Sequence, residues 1–324
     1  MYQNDSDFKK TALRIGASLL LFIVFFYTLI GAFYPLFEEI LIEGLGDSVG
    51  NTASQIIYGF SYLAVFMIPA FFYNFLSRKN SDKTETKYSL SFPDTVVTVI
   101  AAISIIFASA YINSWLAAIF SLADEIMPED TPTTLVGFLL LTFTIAIVPA
   151  VCEEFLFRRT ILRALLPYGE GFAIISSAIM FGIMHQHILQ VFYATMAGIV
   201  LGFIYAKTRS YLCVFLIHFT NNFISVIQGA ISTNITEPYA SFISVSLTAT
   251  VFVLGAISLV ILILKEKNKK DVYDTGSFEK ILLPDENHIK KPTSFNCVRK
   301  LFLSPCVLIF TIICISLCIL TAFI

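Results

Sequence analysis

Long apolar runs alternate with short polar ones along almost the whole chain. Nine runs stand out, at roughly 13–36, 54–76, 94–119, 134–157, 171–187, 191–206, 211–230, 241–264 and 301–324. A helix needs about 20 apolar residues to cross a bilayer, and most of these runs reach that length. The pattern predicts an all-α polytopic transmembrane bundle of eight core spans plus one C-terminal span. It divides into a scaffold over 1–133 (spans one to three), a core over 134–230 (spans four to seven), span eight over 231–264, a cytoplasmic linker over 265–300 and the last span over 301–324. Pro69 is placed to kink span two, and Asp94, behind Pro93, to cap span three. Tyr27, Tyr34, Tyr58, Tyr62 and Trp115 read as interfacial anchors.

Composition agrees with this class. Of 324 residues, 57% are hydrophobic and only 14% charged, with a mean hydropathy of +0.80, which excludes an ordinary soluble domain. A net charge of −2 carries no nucleic-acid signature.

The placement of charge says more than its sum. Lys9, Lys10 and Arg14 precede the first span, and the next loop holds Glu38, Glu39, Glu43 and Asp47 without a cation. Arg78, Lys79, Lys83 and Lys87 follow span two, Asp124, Glu125, Glu129 and Asp130 follow span three, and Arg158, Arg159 and Arg163 follow span four. Lys207 and Arg209 follow span six, Glu237 alone follows span seven, and the remaining basic residues lie in 265–300. The positive-inside rule then sets the amino terminus in the cytoplasm and the carboxyl terminus outside. The first run is too long for a signal-peptide core and reads as a retained span. No cysteine falls in an outer loop, so no disulfide framework is expected. Localisation is expected to be the plasma membrane, a bacterial cell membrane before a eukaryotic internal one.

Candidate chemistry lies where polar residues interrupt the spans. Glu153 and Glu154 close span four, and a carboxylate there is costly unless it faces a wet cavity or a partner. Phe181 and His185 are four apart near the end of span five, and His218 and Asn222 are four apart in span seven, each pair on one helix face. A carboxylate beside a neutral imidazole can hold a water and take its proton. His218 and Asn222 offer N–H donors suited to an oxyanion. Base, water ligand and oxyanion donors together point to amide hydrolysis. By helical rise His185 lies deepest, near ~22 Å from the inner boundary, so a water-filled cavity open to the cytoplasm is expected, with spans five and six tilting or turning around it.

Glu153-Glu154-x-x-x-Arg158, Phe181-x-x-x-His185 and His218-x-x-x-Asn222 resemble, in order and spacing, the three motifs of the CPBP intramembrane proteases. That family includes the CAAX prenyl proteases and Abi-like relatives linked to bacteriocin processing and immunity. The resemblance covers about 135–228. It implies that Glu153 and His185 activate water, that His218 and Asn222 stabilise the oxyanion, and that Glu154 and Arg158 orient the first carboxylate, with Phe181 in support. Many members carry a small residue where this chain has Arg159. The implied partners are the lipid bilayer and a membrane-associated, prenylated or bacteriocin-like peptide, with no nucleic acid. No cofactor is favoured. A zinc alternative would use Glu153, His185 and His218, although the His-Glu-x-x-His helix of zincins is missing.

Two other readings compete with the peptidase. A non-enzymatic immunity or assembly factor would not need all of Glu153, His185, His218 and Asn222. A proton-coupled transporter would call for inverted repeats, and none is evident.

Overall fold

The computed structural model describes residues 5–77, 90–119, 133–272 and 294–321, and among these there are helices and turns but no strand. The helices are α1 (Asp5–Leu45), α2 (Asp47–Ser77), α3 (Phe92–Ile119), α4 (Leu135–Tyr168) and α5 (Glu170–Met184), then α6 (Ile188–Thr208), α7 (Tyr211–Asn234), α8 (Tyr239–Val272), α9 (Ser294–Phe302) and α10 (Pro305–Leu320). Seven of them, α1 to α4 and α6 to α8, are long and apolar enough to cross a membrane.

The count of nine spans is corrected at two places. Helix α5 has 15 residues, about 22 Å of rise against ~30 Å of hydrocarbon. The last apolar run is bent by 75° between α9 and α10. The acidic segment read as the first outer loop is helical as far as Leu45, and the turn is reduced to Gly46, whose φ of 80° suits a residue without Cβ. Ser91, rather than Asp94, caps α3, since its Oγ accepts from the Asp94 amide. The segment read as a linker is helical at both ends, in α8 and α9, and its middle, 273–293, lies outside the described residues. Those of Asp124 to Asp130 and Arg78 to Lys87 lie outside them too.

Three ion pairs mark one end of the bundle. Lys300 meets Asp5 at 2.5 Å, Lys265 meets Asp94 at 2.5 Å and Lys207 meets Glu170 at 2.6 Å. Each joins the ends of two helices on the side of the basic connections. The opposite end holds the α1–α2 and α7–α8 turns, the end of α3 and the α5–α6 turn.

Helices α5 and α6 form a tight hairpin because small residues let their backbones close up. A Cβ on Gly182 would lie 2.7 Å from the Val191 carbonyl oxygen, and one on Gly198 would lie 3.1 Å from the Ala178 Cα. The turn passes through Gln186 in the left-handed region, φ 54°, and its neighbours hold it. Tyr27 Oη donates to Gln186 Oε1 at 2.5 Å, and Thr321 Oγ1 donates to the Gln186 carbonyl at 3.3 Å. The last helix is packed into the bundle, as Val307, Phe310 and Cys314 are fully buried. It docks so closely on α1 that a Cβ at Gly16 would lie 2.5 Å from the Val307 nitrogen.

Candidate active site

Helix α4 is interrupted by two wide π-helical turns, Thr142–Ile147 and Phe155–Leu162, on either side of Val148–Glu154. Pro149 explains the first. It has no N–H to return to the carbonyl four residues back, at Ile145, and its ring crowds that carbonyl. Asn222 Nδ2 donates to the Ile145 carbonyl at 2.9 Å instead. The missing helical bond of α4 therefore fixes an α7 side chain. Asn222 Oδ1 accepts from Asn221 Nδ2 at 3.0 Å, and Asn221 Oδ1 accepts from Tyr193 Oη at 2.8 Å. This row leaves Asn222 one N–H without a partner among the described residues.

The second π turn follows directly on the paired acids. Glu154 and Arg158 are both fully buried, with Arg158 Nε 3.0 Å from Glu154 Oε2. The guanidinium lies over the Phe181 ring, its carbon 4.7 Å from the centroid, a cation–π contact. Glu154 Oε1 faces His218 Nδ1 at 2.8 Å. Glu154 thus binds two positively charged or chargeable groups from different helices.

Glu153 is also buried, but it is tied on one side only. Its Oε1 accepts from Tyr62 Oη at 2.6 Å. Its Oε2 has no hydrogen-bond partner among the described residues and lies 3.8 Å from His218 Nε2, too long for a direct bond. Tyr62 and Tyr58 are not interfacial anchors, because they belong to an aromatic column running Tyr34, Tyr58, Tyr62, Phe66 and Phe22.

His185 ends α5, with its Nδ1 2.9 Å from the Phe181 carbonyl. A carbonyl only accepts, so Nδ1 carries the proton, and in the neutral ring Nε2 presents a lone pair. Phe181 sits edge-on to both imidazoles, at 5.0 Å from His185 and 6.2 Å from His218. It is the shared floor of the two histidines, stacked in turn on Arg158.

Glu153, Phe181, His185, His218 and Asn222 all line one cavity of about 710 Å³. Of the remaining residues singled out in the sequence, Glu154 and Arg158 lie beneath it rather than in its wall. The cavity's polar rim includes Ser114, Ser232 and Ser244, at the end opposite the ion pairs. Ser114 and Ser232 are exposed there, whereas the sequence reading expects the opening at the basic end. Sequence reasoning missed Tyr62, Asn221, Tyr193 and the part played by Pro149. A proline inside an apolar run was the signal for the last, and tyrosines inside spans have no period that sets one apart.

The zinc set does not fit. Among the described residues no group of three or more His, Cys, Asp or Glu side chains could hold a metal ion, and no step below uses one.

The apolar helical bundle buries carboxylates and an imidazole beside one cavity, and the three sequence motifs supply them in order. Residues 132–224 match the family described as Rce1-like, type II CAAX prenyl endopeptidase. The match takes in α4 to the middle of α7, the helices that supply every proposed catalytic residue. No curated protein and no solved structure matches the chain.

Proposed function

We propose that the protein is an intramembrane endopeptidase that hydrolyses a peptide bond in a membrane-associated, prenylated or bacteriocin-like peptide. Its basic end and amino terminus face the cytoplasm of a cell-membrane protein. The observation that carries this reading is the gathering of Glu153, His185, His218 and Asn222 on one cavity wall. Glu153 Oε2 is the base: Glu153, unlike Glu154, lines the cavity, and this oxygen has no hydrogen-bond partner among the described residues. His185 Nε2 accepts a hydrogen bond from the water and orients it. The water oxygen adds to the peptide carbonyl as Glu153 takes its proton.

The oxyanion accepts from the remaining Asn222 N–H and from His218 Nε2–H. Nδ1 of His218 meanwhile donates to Glu154. With His218 and Arg158 both protonated, the buried set of two carboxylates and two cations sums to zero charge. Glu153 then returns its proton to the leaving nitrogen, the C–N bond breaks, and a carboxylic acid and an amine leave, becoming carboxylate and ammonium once the acid's proton passes to the amine.

The test is cleavage of membrane-associated peptides by the purified protein in liposomes, read by mass spectrometry. Glu153→Ala, His185→Ala and His218→Ala should each lower kcat at least about a hundredfold, the scale of one lost oxyanion donor or more. Chelators should leave turnover unchanged. Full activity in Glu153→Ala refutes the assignment, and loss on chelation with rescue by zinc refutes the mechanism while leaving the family intact.

A further inference from the structure

His185 stands at the very end of its helix. Its ring is tied back to the Phe181 carbonyl, but the last turn of a helix frays unless the chain beyond it is fixed. The closing bonds of α5 are of the short, three-residue kind: the His185 amide donates to the Gly182 carbonyl at 3.1 Å and the Gln186 amide to the Ile183 carbonyl at 3.2 Å. The bonding of α6 begins at the His187 carbonyl, which accepts from the Gln190 and Val191 amides. Gln186 is therefore the joint between the two helices, and the direction it gives the chain sets where the His185 ring stands.

The φ of 54° at Gln186 is uncommon for a residue with a Cβ, and such a conformation persists only where its surroundings fix it. Three contacts do so, all from outside α5 and α6. Tyr27 Oη of α1 donates to Gln186 Oε1 at 2.5 Å, Gln186 Nε2 lies 4.0 Å from the Cys314 sulfur of α10, and the Gln186 carbonyl faces Thr321 Oγ1 at 3.3 Å. Thr321 Oγ1 is also 3.0 Å from the Cys318 carbonyl, so its one proton is shared between two acceptors. Tyr27, Gln186, Cys314 and Thr321 are not among the residues lining the cavity. An effect of theirs on turnover has to pass through the turn that carries His185.

Tyr27, Cys314 and Thr321 also lie outside the matched residues 132–224. The segment that supplies the proposed catalytic side chains thus leaves the placement of one of them to helices it does not contain. Helix α10 is suited to this task because it is anchored along α1 at Gly16 and packs against α5 as well.

Resting on the peptidase reading, we propose that Gln186 is a positioning residue for His185, clamped between Tyr27 of α1 and Thr321 at the end of α10. Through this clamp α10 completes the catalytic site from outside the matched segment.

The test uses the purified full chain in liposomes with farnesylated and unmodified quenched peptides, and takes kcat and KM on the peptide the parent cuts best. Tyr27→Phe should lower kcat about fivefold, the scale of one neutral hydrogen bond. Thr321→Val should lower it about threefold, since its proton is shared, and Thr321→Ser should restore the parent value. KM should stay within about twofold throughout, because the clamp does not line the cavity. Gln186→Gly keeps the left-handed turn but loses the side-chain contacts, so it should match Tyr27→Phe, and combining the two should cost no more than either alone. Tyr27→Phe and Thr321→Val with kcat unchanged, losses carried by KM, a Thr321→Ser variant as slow as Thr321→Val, or fully additive losses for Gln186→Gly with Tyr27→Phe would each overturn the clamp while leaving the peptidase reading intact. Cleavage that persists in Glu153→Gln, or no cleavage of any peptide by the parent, overturns the peptidase reading and the clamp with it.

Discussion

Glu154→Gln separates structural from chemical work in the adjacent acids. Glu154 is the counter-charge of Arg158 at 3.0 Å and the partner of His218 Nδ1 at 2.8 Å, and both carboxylate and guanidinium are completely buried. The terminal nitrogens of Arg158 have no hydrogen-bond partner among the described residues, so beyond the face of Phe181 nothing nearby can take over the charge at contact distance. Breaking a buried pair by neutralising one partner costs about 3–5 kcal/mol, a fall in unfolding midpoint on the order of 10 °C. Glu153→Gln should cost about 1 kcal/mol, since the amide oxygen still accepts from Tyr62 and no ion pair at contact distance is lost. The assay is thermal unfolding in micelles with a maleimide dye that lights up on reaction with thiols. Five of the six free cysteines are buried, so the signal reports opening of the bundle. Glu154→Gln should melt early, Glu153→Gln should melt with the parent yet be inactive, and Glu154→Gln with Arg158→Met should recover much of the midpoint. An active Glu154→Gln that melts within about 2 °C of the parent would refute the electrostatic account of this core.

Three further outcomes follow from the same geometry. Pro149→Ala restores an N–H that can pair with the Ile145 carbonyl in competition with Asn222. Stability should hold or rise by up to about 1 kcal/mol while kcat falls at least about tenfold, and equal loss of both would indicate simple misfolding. Gly182→Ala should disrupt the α5–α6 hairpin and inactivate the enzyme, because its Cβ would lie 2.7 Å from the Val191 carbonyl oxygen. Gly171→Ala, with nothing within 4 Å of the added carbon, is the matched control for both melting and turnover. Tyr62→Phe removes the hydrogen bond from Tyr62 to Glu153 Oε1 and should cost about 1.5–3 kcal/mol of transition-state stabilisation, read as a roughly ten- to hundredfold fall in kcat with KM little changed.

What could be read from the sequence follows the range of the interactions concerned. The apolar runs and the alternation of charge are local in the chain, and they yielded the helical bundle and the end at which Asp5, Asp94 and Glu170 find their lysines. The spacings of Glu154 to Arg158, Phe181 to His185 and His218 to Asn222 are one helical turn each, so their pairing on a face was visible without coordinates. Span counting failed where length and tertiary packing disagree. Residues 171–187 are apolar enough to read as a span, but the helix stops at Met184 because Gln186 and His187 turn the chain, a turn held by Tyr27 and Thr321 from its two ends. Contacts of long sequence separation had no such signature. Tyr62 looks like any other membrane tyrosine until α2 is laid against α4, 91 positions away. The same distance effect hides the proposed role of Asn222, whose partner is the Ile145 carbonyl, a group to which Pro149, four residues on, has no N–H to offer. Helix-breaking residues inside membrane spans are tolerated when a neighbour satisfies the freed group. In this bundle the neighbour is a proposed catalytic side chain, so the defect in one helix sets the geometry of the site on another.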